Sequence, residues 1–256
     1  MQLGVLTDVD RLCREQGLTC YLAYGTLLGA VRHGGFIPWD DDVDVMMPRA
    51  DYDRLLQGFA ATAPAHLVLG CPATQPGWPM PYAKVSDVRT RLVEPFEEPV
   101  ELGVNIDVFP LDPVPAGRLA ARVQQVVLRA LFWALELKYI AVERGLGWHR
   151  PATLAIGKRL LRPVPMDTLV AVFERVARGV GRPSHRVGVR VGSHDWSVPL
   201  DRLGQPTDLR FEGVTVGGPE DPEAVLRAVY GDWQRLPPEA ERITHHAFTA
   251  TWRPGA

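Results

Sequence analysis

The densest group of acidic side chains in the sequence is the run Asp40-Asp41-Asp42-Val43-Asp44, which apolar residues follow. If a β-strand covers 42–47, Asp42 and Asp44 face the same side, because side chains alternate along a strand. Two carboxylates held so close repel each other, whereas a divalent cation stabilises both as anions. The run therefore predicts a metal site with Asp42 and Asp44 as ligands and Mg²⁺ or Mn²⁺ as the cation.

This acidic run has two other interpretations. A calcium loop of the EF-hand type that starts at Asp40 would have Val45 at its sixth position and Asp51 at its twelfth. Such loops need glycine and glutamate at those positions, so the EF-hand interpretation fails. A solvated acidic turn is the second alternative, but an exposed turn does not need the alternating apolar residues that follow.

A glycine and a hydroxyl precede the acids, in Tyr24-Gly25-Thr26, where a strand is expected to pass into a helix. Free backbone N–H groups and the helix dipole at such a step favour an anion, and glycine lets a phosphate approach closely. Many strands enter helices through Gly-Thr without any ligand. The nearby metal carboxylates nevertheless favour a phosphate cradle and hence metal-assisted phosphoryl or nucleotidyl transfer.

A third carboxylate is needed to complete the metal site, and the sequence offers Asp107 or Asp112. Asp107 has apolar neighbours on a predicted strand, 104–109, where a bare charge is costly without a partner. Asp112 lies between Leu111 and Pro113, where we expect the chain to leave the strand and the acid to serve a turn. We therefore predict that Asp107 is the third ligand.

Three basic side chains could hold a donor phosphate. Arg32 and His33 open the loop before the acids, where an arginine can bind phosphate through paired hydrogen bonds. These two residues fit equally well at a solvent-exposed helix end that binds no phosphate. Lys84 is one of only three lysines in a chain rich in arginine. It could neutralise a leaving phosphate, or it could be an ordinary lysine on the protein surface.

Two further candidates involve aromatic rings. Trp39, next to the acids, could stack on a base or hold a quaternary ammonium by cation–π attraction, although packing in the wall of the site is the favoured use. The pair His245-His246 could reach the site as a base or ligand. Adjacent side chains point apart on most backbones, so we give these histidines less weight.

Periodicity predicts the elements that position these residues. Apolar residues recur at three- and four-residue spacing in the helices, and short β-prone runs are bounded by glycine and proline. The predicted helices are 3–16, 26–32, 49–59, 118–142, 167–178 and 222–230, and the predicted strands are 18–24, 42–47, 65–69, 82–85, 90–93, 104–109, 209–211 and 214–216. The pattern indicates an α/β fold, with a catalytic core over 1–115 and a mainly helical, partly irregular C-terminal part over 116–256 packed on it.

Composition excludes several classes of function. The chain has 256 residues, 46% of them hydrophobic, and a formal net charge of −2, which argues against a general nucleic-acid binder. Three cysteines without CxxC spacing predict free thiols rather than a disulfide framework. The N-terminus does not resemble a secretory signal, so we expect a cytoplasmic protein. The helix at 118–142 is too charged to span a membrane, and its broad apolar face is expected to pack on the core rather than to contact a membrane peripherally.

The acidic run belongs to a longer pattern that resembles the LicD family, which includes phosphocholine transferases of bacterial glycans and the fukutin-related proteins. The resemblance covers nearly the whole chain and is carried by 24–49, 82–90, Asn105-Ile-Asp-Val-Phe-Pro-Leu-Asp112, Phe211-Glu-Gly213, Tyr230-Gly-Asp-Trp233 and Pro237-Pro238. It implies an α+β fold like that of nucleotidyltransferases, with a mixed sheet core flanked by helices. It also implies transfer of a phosphoalcohol from a CDP-activated donor to a hydroxyl of a carbohydrate or small molecule. By the resemblance, Gly25 and Thr26 match the phosphate-side motif, and Asp42, Asp44 and Asp107 match the metal-binding acids.

Other functions remain open on the sequence. Asp42-Val43-Asp44 also matches the DxD motif of a nucleotide-sugar-dependent glycosyltransferase. Only two predicted helices and one predicted strand precede it, however, and by fold analogy such a motif follows a longer nucleotide-binding half. A nucleotidyltransferase acting on a small molecule and a non-catalytic binding module are further alternatives. The donor alcohol, the acceptor, the number of metals and the oligomeric state do not follow from the sequence.

Overall fold

A computed structural model of the chain describes residues 1–93, 102–139, 151–179, 182–191, 196–244 and 249–253. The helices there are α1 Gln2–Glu15, α2 Tyr24–His33, α3 Arg49–Thr62, α4 Arg118–Tyr139, α5 Pro151–Leu161, α6 Met166–Ala177, α7 Leu200–Leu203 and α8 Pro222–Tyr230. The strands are β1 Tyr21–Leu22, β2 Asp44–Pro48, β3 Leu67–Gly70, β4 Ala83–Val93, β5 Leu102–Pro115, β6 Pro183–Val189, β7 Val198–Pro199, β8 Thr207–Phe211, β9 Val214–Gly218 and β10 Thr249–Trp252.

One mixed sheet forms the centre of the fold, and the predicted combination of helices with a mixed sheet is confirmed. Its strands run in the order β1-β2-β5-β4-β10, while β3 also pairs with β4, β6 with β5, and β7 with β6. The pair β2 and β5 is parallel, and the remaining pairs are antiparallel. Strands β8 and β9 form a separate hairpin around the predicted turn at Glu212-Gly213. The sheet thus places β2, β5 and β4 side by side.

Local periodicity correctly predicted the helices that flank the sheet. α1 turns Leu6, Val9 and Cys13 into the core, with its polar side outward. α2 ends at Gly34, whose left-handed φ of 72° lets the chain turn toward the acidic run. The three cysteines are free and buried, as expected. These helices form where the apolar periodicity of their own residues favours a helix.

β6, β7 and β10 were not predicted, β1 is shorter than the predicted strand 18–24, and the three strands that carry the site also differ from prediction. β2 begins at Asp44, so Asp42 precedes the strand rather than sharing one of its faces with Asp44. The predicted strands at 82–85 and 90–93 are one strand, β4, whose register shifts between Asp87 and Leu92. β5 continues well past 109, because its later residues pair with β6, and Asp112 therefore lies within a strand and not in a turn.

The part of the chain after residue 115 contributes strands to the same sheet. β6 and β7 extend it beside β5, and β10 pairs with the C-terminal half of β4. α6 packs its buried residues Leu169, Val170 and Phe173 into the main core. The division of the chain into two units after residue 115 stays a prediction.

α4 forms as predicted through Tyr139, and it packs on the core as expected through Leu128 and Leu135, but part of its broad apolar face is left exposed. Its buried residues are Gln124, Leu128 and Leu135, whereas Val123 and Val126 are exposed. The reason is that α6 covers only one side of α4, and Gln124 Nε2 donates to the Val176 carbonyl across this contact (3.0 Å). Among the residues that the structure describes, every helix is too short or too polar to cross a bilayer.

Candidate functional site

The acidic residue Asp44 is fixed by the first turn of α2. Its backbone N–H donates to Thr26 Oγ1 (2.9 Å), and its carbonyl accepts from the Ala23 N–H (2.9 Å). Thr26 is buried, so its hydroxyl ties α2 to β2 inside the core. The structure therefore gives the Thr26 oxygen a partner in the backbone of Asp44, where the sequence had suggested a phosphate.

Gly25 provides room for a carboxylate at the start of α2. A side chain at this position would collide with the Asp40 carboxylate, which lies directly against the first turn of the helix. A negative charge is favourable there, because the helix dipole and the N–H groups of the first turn are positive. The close approach that the sequence predicted for a phosphate at Gly25 is made here by Asp40.

Three consecutive carboxylates gather beside this turn. Asp40, Asp41 and Asp42 each offer an oxygen, and these oxygens lie within 4.8 Å of one another. All three side chains are partly exposed. Asp40 was not among the predicted ligands, and the signal that could have pointed to it is its place at the head of the acidic run.

A row of charged residues crosses three neighbouring strands. Asp44 on β2 is the register partner of Asp107 on β5, and Asp107 is the register partner of Lys84 on β4. Register partners on adjacent strands share one face of a sheet, so the three side chains stand together. Lys84 Nζ donates to Asp107 Oδ1 at 2.6 Å and to Asn105 Oδ1 at 3.3 Å. Both side chains of this ion pair are largely buried.

The environment of Asp44 opposes its negative charge. Burial raises the pKa of its carboxyl well above the ordinary value, and the charges of Asp42, Asp107 and Asp40 raise this pKa further. The positive charge of Lys84 lowers this pKa. An additional positive charge in this place would stabilise the ionised form of Asp44, because a nearby opposite charge favours the charged state.

The donor set suits a hard divalent cation. Carboxylate oxygens are the ligands that Mg²⁺ and Mn²⁺ prefer, and the structure brings Asp42, Asp44 and Asp107 into one electrostatic cluster with Asp40. The accumulation of carboxylates around a buried acid is the observation that fits a metal. The charges of two predicted ligands, Asp42 and Asp107, thus act on the third, Asp44, although Asp42 lies in the loop and not on the strand. Among the described residues, the acids whose oxygens converge within 4.8 Å are Asp40, Asp41 and Asp42.

Asp112 lies elsewhere. It follows Asp107 by five positions on β5, and since side chains alternate, it lies on the opposite face of the sheet. Arg49 Nε donates to Asp112 Oδ1 (2.7 Å) and Arg49 Nη2 to Oδ2 (2.6 Å). Asp112 therefore holds α3 onto the sheet through a buried paired contact, and the predicted role in a turn is wrong.

A cleft of about 820 Å³ opens next to the acids. Gly25, Trp39 and Asp40 line it from the N-terminal part of the chain. The opposite wall comes from the segment after α8: Tyr230, Asp232, Trp233, Arg235, Leu236, Pro237, Pro238, Ala240, Glu241 and Ile243. Only the Tyr230-Gly-Asp-Trp233 and Pro237-Pro238 motifs hinted at this wall in the sequence, and no role had been assigned to them.

Tyr230 connects the cleft to the acidic cluster. Desolvation raises the pKa of its phenol, and the charges of Asp44, Asp40 and Asp42 add to this effect. A phenol whose pKa is raised stays protonated and can donate a hydrogen bond at neutral pH. Tyr230 therefore supplies a hydroxyl donor in the far wall of the cleft.

Arg32 and His33 occupy different surroundings. Arg32 lines the cleft, and its Nη1 donates to the Trp233 carbonyl (3.0 Å), which holds the segment after α8 against α2. Burial lowers the pKa of Arg32. His33 is exposed, and desolvation together with the charge of Arg32 lowers the pKa of its imidazole. His33 therefore lies at the outer edge of the site.

Trp39 presents its ring to a cation. The guanidinium of Arg242 lies 5.2 Å from the ring centroid, and Arg242 Nε also donates to the Pro237 carbonyl (3.0 Å). The ring of His33 meets Trp39 edge to face, with centroids 6.4 Å apart. The Trp39 ring, which the sequence suggested as a binding site for a quaternary ammonium, thus has the Arg242 guanidinium over its face. His245 and His246 lie outside the described residues.

Comparison with known proteins finds sequence relatives of this chain. Residues 17–70, which contain α2 and the acidic run, match the family described as LicD/FKTN/FKRP, nucleotidyltransferase domain. The chain is 24% identical over 254 residues to the lipopolysaccharide cholinephosphotransferase LicD of Haemophilus influenzae, covering 95% of this chain and 92% of the relative. It is also 40% identical over 53 residues to an uncharacterized protein of Rickettsia prowazekii, covering 21% of this chain and 20% of that protein.

Proposed function

Because the chain belongs to the LicD family of enzymes, we propose that it is a metal-dependent transferase that moves a substituted phosphate from a CDP-activated donor to a hydroxyl group. The transferred group is phosphocholine or a polyol phosphate, and the acceptor is a carbohydrate or a small natural product. The observation that carries this proposal is the row Asp44, Asp107 and Lys84 beside the first turn of α2 and the cleft.

The proposed reaction is a substitution at the phosphorus that carries the alcohol. The acceptor oxygen forms a bond to this phosphorus, the bond to the bridging oxygen of the diphosphate breaks, and CMP leaves. The proton of the acceptor hydroxyl passes to Asp107. Its Oδ1 accepts a hydrogen bond from Lys84 Nζ (2.6 Å), which holds the carboxylate in place for this proton transfer.

Each part of the site has a role in this proposal. Asp42, Asp44 and Asp107 would hold Mg²⁺ or Mn²⁺, which when bound neutralises charge on the diphosphate. The guanidinium of Arg32, which lines the cleft, favours the donor phosphates on that side. Trp39 and the apolar wall residues Leu236 and Ile243 shield the reacting groups from water.

The Trp39 ring favours a donor that carries choline. Trp39 lines the cleft, and its ring already attracts a cation, the guanidinium of Arg242. A quaternary ammonium binds an aromatic face through the same attraction. We therefore propose phosphocholine as the first donor group to test, with ribitol phosphate as the comparison.

The experiment uses the purified full chain with Mg²⁺ or Mn²⁺, a panel of CDP-alcohols and a panel of sugar and natural-product acceptors. We expect CMP release that depends on metal and acceptor and that Asp44→Asn abolishes. Asp201→Asn, an exposed acid on α7, is the matched control and should keep activity.

The same assay separates the alternatives. UDP or GDP release from a nucleotide sugar would indicate a glycosyltransferase that uses Asp42-Val43-Asp44 as its motif. Pyrophosphate release from a nucleoside triphosphate would indicate a nucleotidyltransferase. Nucleotide binding without turnover of any donor would favour a binding module, and each of these three results would contradict the proposed transfer.

A further inference from the structure

An apolar stripe follows one side of α4 and is open to solvent. Leu119, Val123, Val126 and Trp133 recur at three-, four- and seven-residue spacing, so they share one face of the helix. Leu119 is 77% exposed and Val126 66% exposed, whereas the helix packs inward through a different side. We call the face formed by these four residues the α4 stripe. A run of exposed apolar residues on one helix face marks an interaction surface more often than scattered ones do.

The neighbouring helix α5 adds apolar surface. Gly157 of α5 packs close to Leu137 of α4, where an added Cβ would meet Leu137 Cδ1 at 3.5 Å. Ile156 and Leu160 are exposed on α5, at 61% and 72%. Lys138 Nζ donates to the Leu161 and Val164 carbonyls (3.1 and 2.6 Å), which fixes the end of α4 against this region. The two helices thus form a packed unit that carries exposed aliphatic side chains.

Positive charge accompanies this unit. Residues 118–178 contain 11 Lys and Arg against 4 Asp and Glu, whereas the remainder of the chain contains 17 against 26. On α4, Arg118, Arg122 and Arg129 lie along one edge of the α4 stripe, because their positions follow the same helical spacing. Arginines in such a row can reach headgroups while their stems cover apolar surface. The charge is therefore placed beside the exposed apolar face.

We propose that the α4 stripe docks on an anionic lipid surface. An amphipathic helix with an apolar face, flanking arginines and a tryptophan is the arrangement that lies in a membrane interface. A second copy of the chain fits less well, since it would bring two strongly basic faces together. The acidic remainder of the chain is repelled by an anionic surface, so the charge asymmetry also orients the molecule on it. This inference does not depend on the proposed function.

The test is co-sedimentation of the full chain with vesicles of phosphatidylcholine alone or of phosphatidylcholine with phosphatidylglycerol. We expect binding to the anionic vesicles only, and weaker binding as salt increases, because salt screens the attraction. Val123→Gln with Val126→Gln should weaken partitioning by at least about tenfold. Arg118→Gln with Arg122→Gln should weaken it by roughly 30-fold, since each basic residue near such a surface contributes about fivefold.

Matched controls remove the same groups elsewhere. Val68→Gln with Val88→Gln changes two exposed valines of the sheet, and Arg91→Gln with Arg210→Gln removes two exposed arginines. Both control pairs should sediment like the unmodified chain, and circular dichroism should show that all four variants are folded. The salt dependence of the unmodified chain provides a readout that needs no variant.

Several results would overturn the proposal. These are equal binding to neutral and anionic vesicles, no binding to either, or control variants that lose as much binding as the α4 variants. Light scattering gives a further test. If the unmodified chain is a dimer and the variant Val123→Gln with Val126→Gln is a monomer, the α4 stripe serves self-association and the proposal is wrong. CMP release with a water-soluble acceptor needs no vesicle, so a failed sedimentation result would leave the proposed transfer unaffected.

Discussion

Asp44 and Asp107 are directly opposed register partners on two parallel strands, β2 and β5. The parallel pairing brings a residue from the acidic run next to one that lies far along the chain. Their carboxyl groups, together with Asp40 and Asp42, make the surroundings of the buried Asp44 strongly negative. This relationship underlies the first two predictions.

Asp44→Asn should abolish transfer and stabilise the metal-free protein. Removing one of several close carboxylates relieves repulsion, and relief of about 1 kcal/mol raises the melting temperature of a domain of this size by about 2–4 °C. We expect turnover to fall by at least about 100-fold. Thermal unfolding in EDTA and CMP release at saturating donor measure the two effects. Near-normal turnover, or a lower melting temperature in EDTA, would contradict the assignment.

Asp107→Asn and Asp112→Asn should differ in their effect on turnover per folded molecule. Asp107→Asn should lower this turnover by orders of magnitude, and it should also cost stability, because the buried Lys84 loses the charge of its partner. Asp112→Asn should cost about 3–5 kcal/mol of stability, because the buried Arg49 loses the charge of its closest partner. Urea denaturation and turnover per folded molecule distinguish them. A stable but inactive Asp112→Asn variant would place the third carboxylate on the other face of the sheet.

Thr26→Val should destabilise the fold by about 1–3 kcal/mol. The substitution keeps the volume of the side chain but leaves the buried N–H of Asp44 without an acceptor. Thr26→Ser retains the hydroxyl and serves as the control, which should remain close to the unmodified chain. Chemical denaturation of both variants tests this prediction. Equal stabilities of the valine and serine variants would show that the hydrogen bond does not hold α2 on β2.

Arg242→Gln should strengthen binding of a choline-type donor. Arg242 lies over the Trp39 ring, so it competes with a quaternary ammonium for the same face, and its removal should lower KM about two- to fivefold. KM for a CDP-polyol should change little, because that donor has no cation. Trp39→Leu is the companion variant and should raise KM for the choline donor. If Arg242→Gln changes both KM values equally, Arg242 does not compete with the quaternary ammonium for the Trp39 ring.

Glu136→Gln should stabilise the protein at neutral pH. Burial raises the pKa of the Glu136 carboxyl in the folded state, so the folded protein holds this proton more strongly than the unfolded chain does. Stability is therefore lost as pH rises through the folded pKa, and the loss is absent below the unfolded value of about 4.5. The gain in melting temperature of Glu136→Gln should be larger at pH 7 than at pH 4. A gain that does not change with pH would mean that charge burial is not its cause.

The sequence alone determined the residues available for chemistry and the helices that flank them. The acidic run, Gly25-Thr26 and the helices α1, α3 and α8 follow from side-chain type and local periodicity, because helix formation depends on residues within three or four positions of each other. The resemblance to the LicD family rested on the same stretches, and the comparisons support it over 17–70 and over most of the chain.

Tertiary structure decided which of these residues meet. Strand pairing joins residues far apart in sequence, so only the register of β2, β5 and β4 places Asp44, Asp107 and Lys84 in one row and turns Asp112 to the other face. The same holds for Asp40 against Gly25 and for the cleft wall after α8. The exposure of the α4 stripe depends on where α6 packs, because an apolar helix face has the same periodicity whether a neighbour or solvent covers it.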